Sequence, residues 1–414
     1  MRDPRKGSAR TLATTSLLLL GMACGSPPAG TESADAQWYQ VQLVGEEEEP
    51  VPFFLRLPGD CERATATVVN GEERIRARCH RSDSGFLVDF PVYAMQLEAE
   101  IEADGSLTGH MCRERAEGRD IVMSLAGRPI VEPDPRTRFP EEVDGQIDAS
   151  ETEVAGTWQM EFEVLGGAKG TFVQHADGVV RGTIEVPAEY GDWGFLAGNV
   201  RGRHVRVSTF TGRSAILLDG ELTPDGSMAG MLFINDSWDP FVAERVATVA
   251  LPDPLARVWP IRDDRRLDLE LLSDPKYAGK AMIVDIFGTW CPNCADQTPL
   301  LKELYQRHHD AGLEILGLAY EFTDNHDFWQ RRINAFRERH GVEWEIAIAG
   351  LDELASEGNL GLSPIEGVPV TVFVNRDGTV HAVYTGFSGP ATGDAYVQAR
   401  ADFERLAREI VNGL

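Results

Sequence analysis

The sequence predicts an α/β domain at the carboxy terminus preceded by one or two all-β modules of sandwich or barrel-like form. Three observations carry that reading. From Trp38 to about Ile130, and again from Gly156 to about Val249, short alternating runs such as Leu97-Glu98-Ala99-Glu100-Ile101 are separated by Gly-Asp, Asn-Gly and Asp-Gly turns, the pattern of antiparallel strands. At Leu251-Pro252-Asp253-Pro254 the composition shifts, and beyond it strand-like runs alternate with helical ones. The first strand-to-helix junction of that last segment carries Cys291-Pro292-Asn293-Cys294.

The 414 residues, at roughly 100–200 per domain, fit two to four domains. With 43% hydrophobic and 25% charged residues the composition is that of a globular protein. Acidic residues outnumber basic ones 66 to 39, a net charge of −27, which repels phosphate backbones and disfavours nucleic-acid partners.

The first residues read as an export signal rather than as part of the fold. Arg2, Arg5, Lys6 and Arg10 form a basic region, and an apolar stretch centred on Leu17-Leu18-Leu19-Leu20 follows, too short for a mature membrane helix. It ends in Gly21-Met22-Ala23-Cys24, which resembles a bacterial lipoprotein signal with Cys24 as the lipidated first residue of the mature chain. That resemblance implies a signal over 1–23 and a lipid anchor to a membrane. Gly25, where an Asp would retain the protein, points to the periplasmic face of the outer membrane. Residues 24–37 read as a polar tether. The first β module is expected over 38–130, a Pro- and acid-rich linker over 131–152, a second β module over 153–250 and the α/β domain over 255–414.

The two β regions echo one another. Glu100 to Gly109 and Glu221 to Gly230 share an Asp-Gly-Ser core at an offset of 121, and Trp38 and Trp158 open the two regions at an offset of 120. The Asp-Gly pairs fit tight hairpins that need a positive φ, and a duplicated module is the expectation. Of the six cysteines, Cys61, Cys79 and Cys112 remain after Cys24 and the Cys-x-x-Cys pair. Cys79 and Cys112 sit in strand-like runs and are expected to form a structural disulfide, leaving Cys61 single. No spacing of histidines or cysteines supports a metal site, and no cofactor is implied.

The last segment reads β-α-β-α-β, then a β-hairpin, then a helix. Its elements are Ala281 to Phe287, a helix from Pro292, Leu313 to Tyr320, a helix from Phe328 to His340, Trp344 to Ala349, the hairpin Val370 to Val374 and Val380 to Tyr384, and a final helix bearing Tyr396, Phe403, Leu406 and Ile410 on one face. A Cys-x-x-Cys at a helix start sets the first sulfur against unsatisfied backbone N–H groups and the positive end of the helix dipole. Both favour the thiolate, and a free cysteine pKa near 8.5 can fall to roughly 3.5–7.5 in such settings. Two intervening residues bring the second sulfur within disulfide distance. Zinc would need two further ligands, and there is no second Cys-x-x-Cys.

Residues 255–414 resemble the thioredoxin-like family, in particular thiol–disulfide oxidoreductases of the TlpA/ResA type, often grouped with the redoxins. The Trp290-Cys291-x-x-Cys294 signature, the order of elements and Gly367-Val368-Pro369 before a strand carry that resemblance. It implies a thioredoxin fold, with Cys291 as the exposed nucleophile and Cys294 as the buried resolving thiol. Pro369 would be a cis-proline opposite the disulfide, and Val368 would offer its backbone to a substrate strand. Trp290 would shield the disulfide and contact partners. Asp285, six residues before Cys291 in an otherwise apolar strand, would be a buried acid that takes the proton of the resolving thiol. Gln297 departs from the family, which carries Glu three residues after the second cysteine, so Asp285 would act alone.

The expected function is an exported oxidoreductase that reduces or exchanges disulfides of envelope proteins, supplied with electrons by an inner-membrane thiol donor. Pro292-Asn293 carries no charge to stabilise the thiolate further, which favours the reducing direction. One rival is an envelope binding or assembly protein whose β modules do the work. Another is a thiol peroxidase (an antioxidant role), but Thr289 precedes Cys291 by two residues rather than the three of a Pro-x-x-x-Thr-x-x-Cys loop.

Overall fold

The structure, a computed structural model, describes residues 35–46, 49–82, 84–115, 118–139, 153–321, 325–350 and 359–413. The expected export signal, the lipidation residue Cys24 and most of the tether and linker lie outside the described residues.

Eight antiparallel strands close into the first barrel: β1 (Gln37–Val44), β2 (Pro50–Leu57), β3 (Ala66–Asn70), β4 (Glu73–Arg81), β5 (Gly85–Phe90), β6 (Met95–Ile101), β7 (Leu107–Glu114) and β8 (Arg119–Ile130). Each pairs with the next, and β8 returns to β1. The period-two pattern read from the sequence is the reason: in β4, Ile75, Ala77 and Cys79 are buried while Arg74, Arg76 and Arg78 face water.

The second β region has the same plan, with β9 (Gly156–Phe162), β10 (Gly166–Gln174), β11 (Val179–Val186), a two-residue β12 (Gly191–Asp192), β13 (Leu196–Arg201), β14 (His204–Phe210), β15 (Ala215–Leu222), β16 (Met228–Ile234) and β17 (Ser237–Val246). Because β10 pairs with both β9 and β11, eight of these strands form a ring, and β12 hangs on the end of β11. The ten-residue echo falls on the hairpin between the sixth and seventh ring strands in both barrels, β6–β7 and β15–β16. The turns match atom for atom. Gly105 N donates to Glu102 O and Gly226 N to Thr223 O, with φ of 84° and 88° at the two glycines. The tryptophan pair does not correspond in the same way: Trp158 is buried in its barrel, whereas Trp38 faces outward and the inward residue of β1 is its neighbour Tyr39.

The expected Cys79–Cys112 disulfide is replaced by Cys61–Cys79, with Cys112 a buried free thiol. Cys112 lies on β7, three strands from β4. That is about 14 Å at the usual strand spacing, beyond the Cα separation a disulfide spans. Cys61 lies in the β2–β3 connection, which folds back beside β4 and leaves the two Cα atoms 5.1 Å apart. Strand propensity does not fix the pairing, which is decided by which strands are neighbours.

The start of the expected linker is fixed between the barrels. Arg138, 1% exposed, donates to Ser208 O and Oγ and to Asn70 Oδ1. Asn70 in turn exchanges two hydrogen bonds with the backbone of Phe210.

The carboxy-terminal domain contains β18 (Ala281–Phe287), α1 (Pro292–His308), β19 (Leu313–Tyr320), α2 (His326–His340), β20 (Glu345–Gly350), β21 (Val370–Val374), β22 (Val380–Thr385) and α3 (Asp394–Asn412). Its sheet runs β20-β19-β18-β21-β22, with parallel pairs on one side of β18 and the antiparallel hairpin on the other, the thioredoxin-like arrangement expected. All seven residues of β18, Asp285 included, are buried. The domain touches both barrels: Arg332 of α2 donates to Val92 O of the first, and the β11–β12 turn of the second lies on the start of α1.

Candidate active site

Cys291 is the N-cap of α1, and its sulfur accepts the Cys294 N–H at 3.1 Å. A sulfur so placed faces the free N–H groups and the positive dipole end of a 17-residue helix. Pro292 at the first helical position removes an N–H that would have no partner there. Cys291 and Cys294 form a disulfide. The Val368–Pro369 peptide is cis, and Val368 O lies 3.7 Å from Cys291 Sγ. The structure thus brings Cys291, Cys294, Val368 and Pro369 together at one end of the sheet.

Asp285 lies in the central strand, where burial pushes its carboxyl up to about 7. It accepts from Gln297 Nε2 at 2.9 Å, and the same nitrogen donates to Thr371 Oγ1 at 3.0 Å. The acid therefore does not stand alone. A neutral amide one turn beyond Cys294 holds its orientation and opposes part of the burial effect.

Residues 261–397 match the family model described as Redoxin. The carboxy-terminal domain is a redoxin domain. Its sequence is similar to thiol-disulfide oxidoreductase ResA of Geobacillus kaustophilus (strain HTA426), 30% identical over 115 residues, which are 28% of this chain and 59% of the relative. It is also similar to ResA of Bacillus anthracis, 28% identical over 102 residues, 25% and 53% of the two chains. The chain thus spans little more than half the length of these curated relatives. Among solved structures, a thiol:disulfide interchange protein of the thioredoxin family from Chlorobium tepidum TLS is 21% identical, covering 40% of this chain and 99% of that one, with a TM-score of 0.26.

Two features of the redoxin domain depart from the expectation. Cys291, expected to be exposed, is only 3% accessible, against 2% for Cys294. Trp290 is half-buried: its Nε1 donates to Tyr320 O at 2.8 Å, and the guanidinium of Arg213, from the second barrel, lies 5.4 Å from its ring centre. The second barrel places Tyr190 and Asp192 against the redoxin domain, and no local pattern around the cysteines reports that.

Sequence reasoning also missed Glu321 and Thr371. Glu321, buried just after β19, accepts the Thr289 N–H at 2.9 Å and so fixes the loop leading to Cys291. Arg332 lies 3.6 Å from its carboxylate. A Glu closing an apolar strand was the available signal. Thr371, two residues past Pro369, looked like an ordinary strand residue.

A cavity of about 180 Å³ opens beside Pro292 and Asn293, where the redoxin domain meets both barrels. Glu73, Asp192 and Asp296 line it. Burial raises Glu73 to about 7 and Asp192 to about 6, and burial with the neighbouring acids raises Asp296 well above the usual range.

Proposed function

We propose that the protein is an exported thiol–disulfide oxidoreductase working through Cys291 and Cys294. In the reducing direction the Cys291 thiolate attacks one sulfur of a partner disulfide, forming a mixed disulfide and releasing the partner's other sulfur as thiolate. Cys294 then attacks Cys291, the mixed disulfide breaks, and the partner leaves fully reduced. Two electrons pass from the cysteine pair to the partner. Asp285 takes the proton from Cys294 as it becomes the attacking thiolate, with Gln297 orienting the carboxyl. Val368 and Pro369 bind the substrate backbone, and Trp290 forms the apolar wall.

The observation that carries this reading is the Cys291 sulfur capping α1 beside the cis-Pro369 loop. The cap favours the thiolate, and the loop supplies backbone for a substrate strand. The Cys61–Cys79 disulfide, away from the redox pair, supports an oxidising compartment. With the Cys24 signal it supports a lipid-anchored protein on the periplasmic face of a bacterial membrane, acting on envelope proteins and drawing electrons from an inner-membrane thiol donor. Palmitate labelling with membrane fractionation tests the anchor. Insulin reduction with dithiothreitol tests the chemistry: the wild type should outpace Cys291→Ser, and equal rates would overturn the proposal. Cys294→Ser should accumulate mixed disulfides with its partners on non-reducing gels.

A further inference from the structure

The groove beside Cys291 is filled by the protein itself. Tyr190 follows the short 3₁₀ turn Pro187–Glu189 of the second barrel and is 3% exposed. Its carbonyl accepts the Phe387 N–H at 2.9 Å, and its hydroxyl accepts the Glu366 N–H at 3.3 Å. Its ring lies within 3.4 Å of where a Cβ on Gly367 would stand, next to Val368. Two residues on, the Asp192 carboxylate accepts the Gly389 N–H at 2.6 Å, and the Asp192 N–H donates to Asn293 Oδ1 at 3.2 Å. The segment therefore touches both flanks of the disulfide, the residue before Cys294 and the loop before cis-Pro369. It takes three backbone N–H groups of the redoxin domain, one on the Tyr190 carbonyl and the other two on the Tyr190 hydroxyl and the Asp192 carboxylate.

Several features hold the segment in this place. Gly191 has no side chain, and a Cβ there would stand 2.1 Å from Asn293 Nδ2, so a larger residue must push the Asn293 side chain or the segment aside. Tyr190 has φ 59°, a left-handed conformation that disfavours tyrosine and persists when surroundings enforce it. Arg257 lies 4.1 Å from the Tyr190 ring centre and donates to Pro187 O at 2.7 Å.

We propose that Tyr190–Asp192 is a built-in pseudosubstrate, a strap that occupies the polypeptide groove of the redox site and must lift before a protein disulfide can reach Cys291. This deepens the exchange reading and rests on it. A substrate that displaces the strap imitates its contacts, with an aromatic side chain and, two residues later, a carboxylate.

The test uses the full chain with its Cys291–Cys294 disulfide reduced. Labelling at Cys291, located by peptide mass spectrometry, is timed with iodoacetamide and with a polymer-linked maleimide too bulky to pass beneath the strap. In the wild type the bulky reagent should lag far behind. Tyr190→Gly removes the ring and hydroxyl and suits the left-handed backbone, and Gly191→Val wedges the strap from Asn293. Each should speed the bulky reagent at least ~10-fold, as the open fraction rises, and leave iodoacetamide within about twofold. Equal access for both reagents in the wild type, or an unchanged ratio in both variants, would overturn the strap. Insulin reduction by the same variants separates the two claims: faster bulky labelling with no insulin reduction leaves the strap standing and removes the exchange reading.

Discussion

Gln297 Nε2 bridges Asp285 Oδ1 at 2.9 Å and Thr371 Oγ1 at 3.0 Å, joining α1 to β18 and β21 one helical turn beyond Cys294. Burial raises the Asp285 carboxyl and this hydrogen bond lowers it, the first being larger, with the balance at about 7. Replacing the donor removes the lowering contribution. Gln297→Leu should move the pH midpoint of the resolving step, measured by stopped flow with a preformed mixed disulfide, to higher pH by roughly one unit. A shift to lower pH would contradict the assigned role of the amide.

Asp285 itself should control that pH dependence. As a base it must be ionised, so release of the mixed disulfide should accelerate as pH rises through about 7. Asp285→Asn should flatten the profile and slow release on the order of 100-fold. Stability should respond with the opposite sense. A carboxyl whose folded pKa is raised contributes stability below its unfolded value and loses it as pH climbs through the folded one. Moving it from 3.8 to about 7 costs up to about 4 kcal/mol once ionised. Asp285→Asn should therefore raise the melting temperature at pH 8 and change it little at pH 4, as calorimetry can measure.

The three carboxyls around the interdomain cavity should give the same sign. Glu73, Asp192 and Asp296 are all raised, and the cavity also presents Glu189, Tyr93, Arg213, Arg339 and His340. His340, lowered to about 3 by burial, works the other way, adding stability as pH rises toward its ordinary value of 6.5. The difference between Asp296→Asn and the wild type isolates the acid. The variant's advantage in urea midpoint should be small at pH 4 and grow steadily to pH 8. An advantage that shrinks with pH would reverse the assignment.

In the first barrel, thiol counting under denaturing, non-reducing conditions should find Cys112 reactive and Cys61 and Cys79 protected. Replacing both Cys61 and Cys79 by Ala releases a constraint on a stretch with an 18-residue separation. About 3 kcal/mol of stability should be lost, seen as a lower denaturant midpoint. A protected Cys112 would restore the pairing first expected from the strands.

Local chemistry was legible in the chain alone. The helix-capping cysteine pair, the acid in an apolar strand, the proline before β21 and the Asp-Gly hairpins each express a rule that acts within a few residues, and the α/β domain and two β modules follow from periodicities of the same range. Tertiary structure decided what depends on residues far apart. It paired Cys61 rather than Cys112 with Cys79, because closing the barrel sets which strands are neighbours. It joined Gln297 to both Asp285 and Thr371, and it laid Asp192 against Asn293, 101 residues later in the chain. Contacts of that kind are fixed by how whole surfaces fit when three domains share an interface, and neither propensity nor spacing encodes that fit.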